Sequence, residues 1–234
     1  MVTPKIDVIG IGIYSVPQAS RLTRVSPSRI RRWLRGYEYQ RGADRRRSAP
    51  VWHAQLPQED GAVALGFLDL MEIRFVDAFV EAGLSLRKIR QAAKLATALV
   101  GAAHPFSTQK FHTDGKRVFA ELEHEGREEK TLYDIERNQF GIYDVILPSL
   151  LAGVEFDNEG QAARWRPEPS TLPFVIVDPL RQFGQPIVVE GGVQTAVLAD
   201  AVKAEGSIEA VARWYELPKE AVEQAVLFEF KKAA

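Results

Sequence analysis

YSVPQASRLTRVSPSRIRRWLRGY, residues 14–37, reads as two short helices around a tight turn. Ser15 is a helix-capping residue with Pro17 in the first turn behind it. Val16, Ala19 and Leu22 recur at one-turn spacing on a single face. Residues 23–25 form the turn. Ser26 then caps a second helix, and Pro27 takes its first position, where a missing N–H leaves no bond unmade. Ile30, Trp33 and Leu34 fall at i, i+3 and i+4 and make a buried stripe, which leaves Ser28, Arg29, Arg31, Arg32 and Arg35 on the other faces. Gly36 suits the C-terminal stop. Guanidinium groups on such a helix can fork onto phosphates or guanine edges. Ser26 and Ser28 lie at its N-terminus, where backbone N–H groups and hydroxyls can hold a phosphate.

The charge distribution points the same way. The 234 residues carry a net charge of only -1, but residues 1–50 hold eleven Lys and Arg against Asp7, Glu38 and Asp44, a net of +8, and the remainder is left at -9. A split of that size implies a polyanionic partner at one end. Cysteine is absent, which excludes disulfides, thiol chemistry and thiolate zinc sites. No apolar run approaches the ~20 residues of a membrane span. The first fifteen residues contain Asp7 and lack a basic leader and a small-residue cleavage site, so the expectation is a cytoplasmic protein.

Residues 1–13, with Gly10 and Gly12, read as an arm or short strand ahead of the first helix. Residues 37–66 follow the second helix as a basic wing with Arg41, Arg45, Arg46 and Arg47, a strand over Val51-Trp52-His53, and Pro50, Pro57 and Gly61 as punctuation. Such a hairpin commonly rests on phosphates or in the minor groove. Residues 67–100 give two helices: Leu68, Met71, Phe75 and Phe79 lie close to one side of the first, Gly83 ends it, and Ser85 caps the second.

These segments resemble the MerR-type winged helix-turn-helix. The residues that carry the likeness are Tyr14-Ser-Val at the helix entry, Leu22-Thr-Arg-Val-Ser-Pro at the turn, Arg31-Arg-Trp in the recognition helix, and the Gly83-Leu-Ser-Leu turn leading to Ile89-Arg. That family usually has glycine where Arg24 stands, and a left-handed conformation at Arg24 would cost about 1–2 kcal/mol. The family's long dimerising helix is cut short here by Gly101 and His104-Pro105.

Residues 106–170 change character. Phe111 to Ala120 reads as a hairpin around Asp114-Gly115. Residues 121–130 form a charged excursion, and residues 131–146 suit strands, or one strand plus a helix. Residues 154–165 are a second hairpin candidate, so a small antiparallel sheet is expected.

Residues 171–234 pair two strands, Phe174-Val-Ile-Val-Asp-Pro and Pro186-Ile-Val-Val-Glu-Gly. A helix follows over about 195–204, a second capped by Ser207 with Ile208, Val211 and Ala212 inward, and a last one from Lys219 to Lys231. This tail resembles the C-terminal domain of VapB-like antitoxins in Asp178-Pro, Gly184-Gln-Pro-Ile, the Gly191 turn, Gly206-Ser-Ile-Glu-Ala-Val-Ala and Glu220-Ala-Val-Glu-Gln-Ala. The resemblance implies a PIN-type ribonuclease toxin as partner. Residues 190–232 hold eight acidic and five basic residues, a net of -3, which argues against a second DNA-binding face. Ala221, Val222, Ala225, Val226, Leu227, Phe228 and Phe230 exceed what one small core can take. Val222, Val226, Phe228 and Phe230 are therefore the expected dimer or partner interface.

His53, His104, His112 and His124 are scattered, no nucleophile or phosphate-loop motif appears, and the four tryptophans read as core or sheet-packing residues. No catalysis, metal or cofactor is expected. The fold class is α+β: a winged helix-turn-helix over residues 1–104, a small β-rich connecting region over 105–170, and a β-hairpin plus three-helix dimerisation domain over 171–234. The functional expectation is a DNA-binding antitoxin and autorepressor. It would use Ser26, Ser28, Arg29, Arg31, Arg32, Arg35, Arg45, Arg46 and Arg47 on a double-stranded operator, as a homodimer. The alternative is a ligand-responsive MerR-like regulator with no toxin partner.

Overall fold

The computed structural model describes residues 10–42, 44–57, 63–113, 118, 147–148 and 150–233. Residues 1–9, the Asp114-Gly115 turn, the charged excursion and the segment 131–146 lie outside the described residues. The chain divides into two compact units, one built on residues 15–152 and 156–162, the other on residues up to 14, 153–155 and 163 onward. Mixed helix and sheet with an N-terminal helix-turn-helix is the architecture the sequence implied.

In the first unit, helices α1 (Val16–Thr23) and α2 (Pro27–Arg35) form the helix-turn-helix, followed by a hairpin of β1 (Tyr37–Arg41) and β2 (Asp44–Ser48) and by α3 (Phe67–Glu81) and α4 (Leu86–Val100). Each start is chemically specified. Ser15 accepts from the Gln18 N–H while the Gln18 side chain accepts from the Ser15 N–H, a reciprocal capping box. Ser26 and Ser85 accept from Arg29 N and Lys88 N. α3 is buried on more sides than the stripe of Leu68, Met71, Phe75 and Phe79 implies: Phe67, Asp69, Leu70, Glu72, Ile73 and Val76 are also inside. Asp69 organises its start, accepting from Gly66 N (2.8 Å), Gln55 N (3.0 Å) and the Trp52 indole N–H (2.9 Å).

Two sequence expectations fail in this unit. Residues 51–53 are not a strand. Val51 N donates to Trp33 O (2.8 Å) and Trp52 to Asp69, so the segment is fixed by contacts to α2 and α3. Residues 109–113 are helical, where a hairpin strand was expected to begin at Phe111. Thr108 caps this turn, accepting from Phe111 N (3.2 Å), and Phe111 and His112 are both buried. They join Phe75 and Phe106 in an aromatic cluster.

The second unit holds most of a four-stranded sheet in the order β3 (Val154–Phe156), β4 (Ala162–Trp165), β5 (Val175–Val177), β6 (Pro186–Val188). The hairpin placed by sequence in the connecting region thus shares a sheet with the C-terminal strands. β5 and β6 are antiparallel with Val175 opposite Val188. Helices α5 (Thr195–Glu205), α6 (Ile208–Trp214) and α7 (Lys219–Ala233) enclose a core of Val188, Leu198, Val211, Leu217, Ala221, Val222 and Ala225. Trp33, Trp52 and Trp165 are buried as expected, but Trp214 is not: it ends α6 and is 62% exposed.

Candidate nucleic-acid interface

The turn between α1 and α2 closes without glycine. Arg24 adopts φ 62°, ψ 18°, and its N–H donates to Ser20 O (2.8 Å), so the chain carries the left-handed strain that the sequence raised at this position. Tyr14, which opens the quoted stretch, is counted with the second unit. It is fully buried and its hydroxyl donates to Gly184 O (2.7 Å).

Ile30, Trp33 and Leu34 are buried, which fixes the outward faces of α2. The serine hydroxyls of Ser26 and Ser28 lie 3.2 Å apart at its exposed N-terminus. Its four arginines are not equivalent. Arg31 and Arg35 are exposed. Arg29 points back onto α3, 3.0 Å from Asp77 and 2.8 Å from Glu81, with its guanidinium 5.3 Å from the Trp33 ring. Burial pushes the Asp77 carboxyl up; Arg29 opposes that rise and Glu81 adds to it. Arg32 stacks on Tyr37, 3.9 Å from the ring centroid.

The hairpin follows with no slack. Gly36 takes φ 71°, and a Cβ there would stand 2.0 Å from Ser48 O. The register pairs Tyr37 with Ser48, Glu38 with Arg47, Tyr39 with Arg46 and Gln40 with Arg45. Side chains alternate between faces along each strand and match across the ladder. Arg46 therefore shares a face with Tyr37 and Tyr39, while Arg45 and Arg47 share the opposite face with Glu38 and Gln40. Arg45 is paired with Glu38, and Arg46 lies 3.7 Å from Asp44. The nine residues named from the sequence do lie on α2 and the hairpin, but the arginines present more than one face.

Sequence reasoning missed Tyr37 and Arg90. Arg90, on α4, donates from Nε to Ala49 O (2.7 Å) just beyond β2 and lies 6.0 Å from the Tyr37 ring centroid. The Ile-Arg pair was visible in the sequence, but not its reach across 41 residues.

On α7 the expected interface residues divide. Val222 and Phe228 are buried in their own unit, 0% and 3% exposed, which corrects their assignment to a surface. The reason is that α7 packs against both the sheet and α5: Gln224 accepts from Phe174 N (3.0 Å), and the Thr195 hydroxyl donates to Glu229 (2.6 Å). Val226 is half-buried, Phe230 is 69% exposed, and so is Leu227 at 51%, which sequence reasoning had not included. Among the described residues no group of acidic and histidine side chains is arranged to hold a metal, and no helix is long and apolar enough to cross a membrane.

Comparison with known proteins bears on both units. Residues 12–93 match the family described as "Putative DNA-binding HTH domain". A curated Mycobacterium tuberculosis protein, "Putative antitoxin VapB45", is 28% identical over 217 residues, 88% of each chain. The crystal structure of Rv2018 from Mycobacterium tuberculosis superposes with a TM-score of 0.71 over 93% of this chain and 99% of that one, at 22% identity, so it shares the fold.

Proposed function

We propose that this chain is a DNA-binding antitoxin that represses its own operon and neutralises a PIN-type ribonuclease by direct binding. The observation that carries the DNA half is the exposed arginine face of α2 beside an arginine hairpin, joined through a glycine that admits no side chain. Affinity from such a surface is dominated by phosphate contacts and falls as salt rises. The toxin half is supported by the name of the 28%-identical relative and by the tail's likeness to VapB-like antitoxins. The exposed Leu227 and Phe230 with Val226 are the surface on which two copies would meet, so that two reading helices face a two-fold operator. The protein works in the cytoplasm, where operator and toxin are found together.

Two measurements test this. Fluorescence anisotropy with the duplex upstream of the gene should show binding that weakens steeply with salt; salt-independent or absent binding refutes the DNA half. Co-expression with the adjacent gene product should rescue growth and yield a co-purifying complex. A neighbour that is neither toxic nor retained refutes the antitoxin half.

A further inference from the structure

We infer that Tyr37 is a positioning residue of the DNA face, a ring platform that holds the Arg32 guanidinium flat and aims its N–H edge at one phosphodiester of a bound duplex. The inference rests on the DNA-binding reading above and adds to it a residue and an atom-level role.

Three observations converge on Tyr37. The Arg32 Cζ lies 3.9 Å from its ring centroid, against 5.3 Å for Arg29 on Trp33. A guanidinium stacked by its face keeps in-plane donors available at its edge. The backbone beneath the ring is closely held. Gly36 precedes it at a contact that no Cβ would fit, Ser48 faces it across the ladder, and the Tyr39 ring lies 5.9 Å away. Arg90 lies 6.0 Å from the same ring centroid, anchored to the carbonyls of Ala49 (2.7 Å) and Leu86 (3.3 Å). Arg90 gives two donors to backbone carbonyls and its Nη2 is buried, so Arg32 is the exposed cation of the pair.

Arg32 also differs in what it lacks. Arg29, Arg45 and Arg46 each have a carboxylate partner, whereas among the described residues Arg32 has none. Its charge is left for an outside anion, and its guanidinium already rests over the Tyr37 ring. Immobilising a long side chain on binding costs roughly 0.5–1.5 kcal/mol, so a platform that prepays that ordering strengthens binding about three- to tenfold.

The test is a double-mutant cycle read by anisotropy on two labelled duplexes of unrelated mixed sequence, across a salt series. Arg32→Ala should flatten the salt slope by about one unit. Tyr37→Ala should weaken binding about three- to tenfold with the slope kept, and should add nothing on the Arg32→Ala background. Tyr37→Phe, which keeps the ring, should bind as the parent does. Tyr37→Leu keeps apolar bulk without the aromatic face and serves the same comparison if Tyr37→Ala melts early. Additive losses, a Tyr37→Phe loss as large as that of Tyr37→Ala, or a loss confined to one duplex would overturn the proposal. Normal salt-dependent binding with additive mutants sinks the platform alone. A parent chain that binds neither duplex sinks the DNA reading with it.

Discussion

Arg29 of the recognition helix lies 3.0 Å from the carboxylate of Asp77 on α3, and the pair ties the helix's first turns to the body of the unit. Glu81 completes the bridge. A guanidinium shared between two carboxylates has little charge left for phosphate. Arg29→Ala should therefore leave the salt dependence of DNA binding nearly unchanged while lowering stability by about 0.5–1 kcal/mol, the scale of a partly exposed ion pair. Arg31→Ala should do the reverse, flattening the slope by about one unit with no change in melting temperature. Anisotropy against salt and thermal melts on the same two variants separate the roles; an equal slope change for both would refute the distinction.

Gly36 and Gly42 both have positive φ, 71° and 65°, but only the first is crowded. A Cβ at Gly36 meets Ser48 O at 2.0 Å, whereas at Gly42 nothing among the described residues lies within 4 Å. Gly42→Ala should cost only the left-handed penalty, about 1 kcal/mol. Gly36→Ala must also open the helix-to-hairpin junction, and a loss of about 3 kcal/mol or more is expected, with weakened DNA binding. Urea denaturation of the two variants gives the comparison, and similar losses would show that the junction yields.

What was legible in the sequence was local. Caps at Ser15, Ser26, Ser85 and Ser207, the stripe of Ile30, Trp33 and Leu34, and the helix ends all depend on neighbours within a turn, and each appears in the structure. What was not legible depends on distance along the chain. Arg29 and Glu81 are 52 residues apart, and Phe174 and Gln224 are 50 apart. No pattern within α2 tells a tethered arginine from an exposed one. The strand expected from residue 111 failed for a related reason: the Thr108 cap and the aromatic cluster that hold residues 109–113 as a helix are not visible in the stretch that was read as a hairpin. The alternation that separates Arg46 from Arg45 and Arg47 also needed the strand register.

Acid should destabilise the first unit through His112. The ring is buried, against Phe75 (5.1 Å) and Phe156 (5.3 Å), and burial, with the charge of Arg74 second, depresses its pKa to about 4. A depressed histidine favours folding while neutral. That contribution is complete above the unfolded value near 6.5 and is lost as pH falls toward 4. At about 1.4 kcal/mol per proton per pH unit, the loss across the window is about 3 kcal/mol. His112→Phe should flatten it in urea titrations at stepped pH; an unchanged acid limb would contradict this.

Glu72 acts with the opposite sign. Burial, then the neighbouring Asp69 carboxylate, raises its pKa well above the usual range, opposed by the backbone N–H groups of Phe106 and Ser107. The folded state therefore holds the proton more tightly, and stability is lost as pH rises through the raised value. Glu72→Gln, which carries no charge to desolvate and can still accept from Phe106 N, should be more stable than the parent at alkaline pH. The advantage should shrink toward zero as pH falls to about 4. Thermal melts at both pH values test it, and a constant difference would mean Glu72 does not titrate.

The face of α7 offers the sharpest contrast between core and surface. Leu227 and Phe230 are one turn apart, 51% and 69% exposed, and Val222, the fourth residue of the helix, is fully buried. If two copies meet on this face, Phe230→Asp should halve the mass in light scattering and leave the melt of the unit nearly unchanged. Val222→Asp places a carboxylate inside the core and should cost several kcal/mol, unfolding the unit whatever its oligomeric state. A Phe230→Asp chain that stays at the parent's mass would remove α7 from the interface. Retained DNA affinity in a Phe230→Asp monomer would show that pairing and reading are separate properties of the two units.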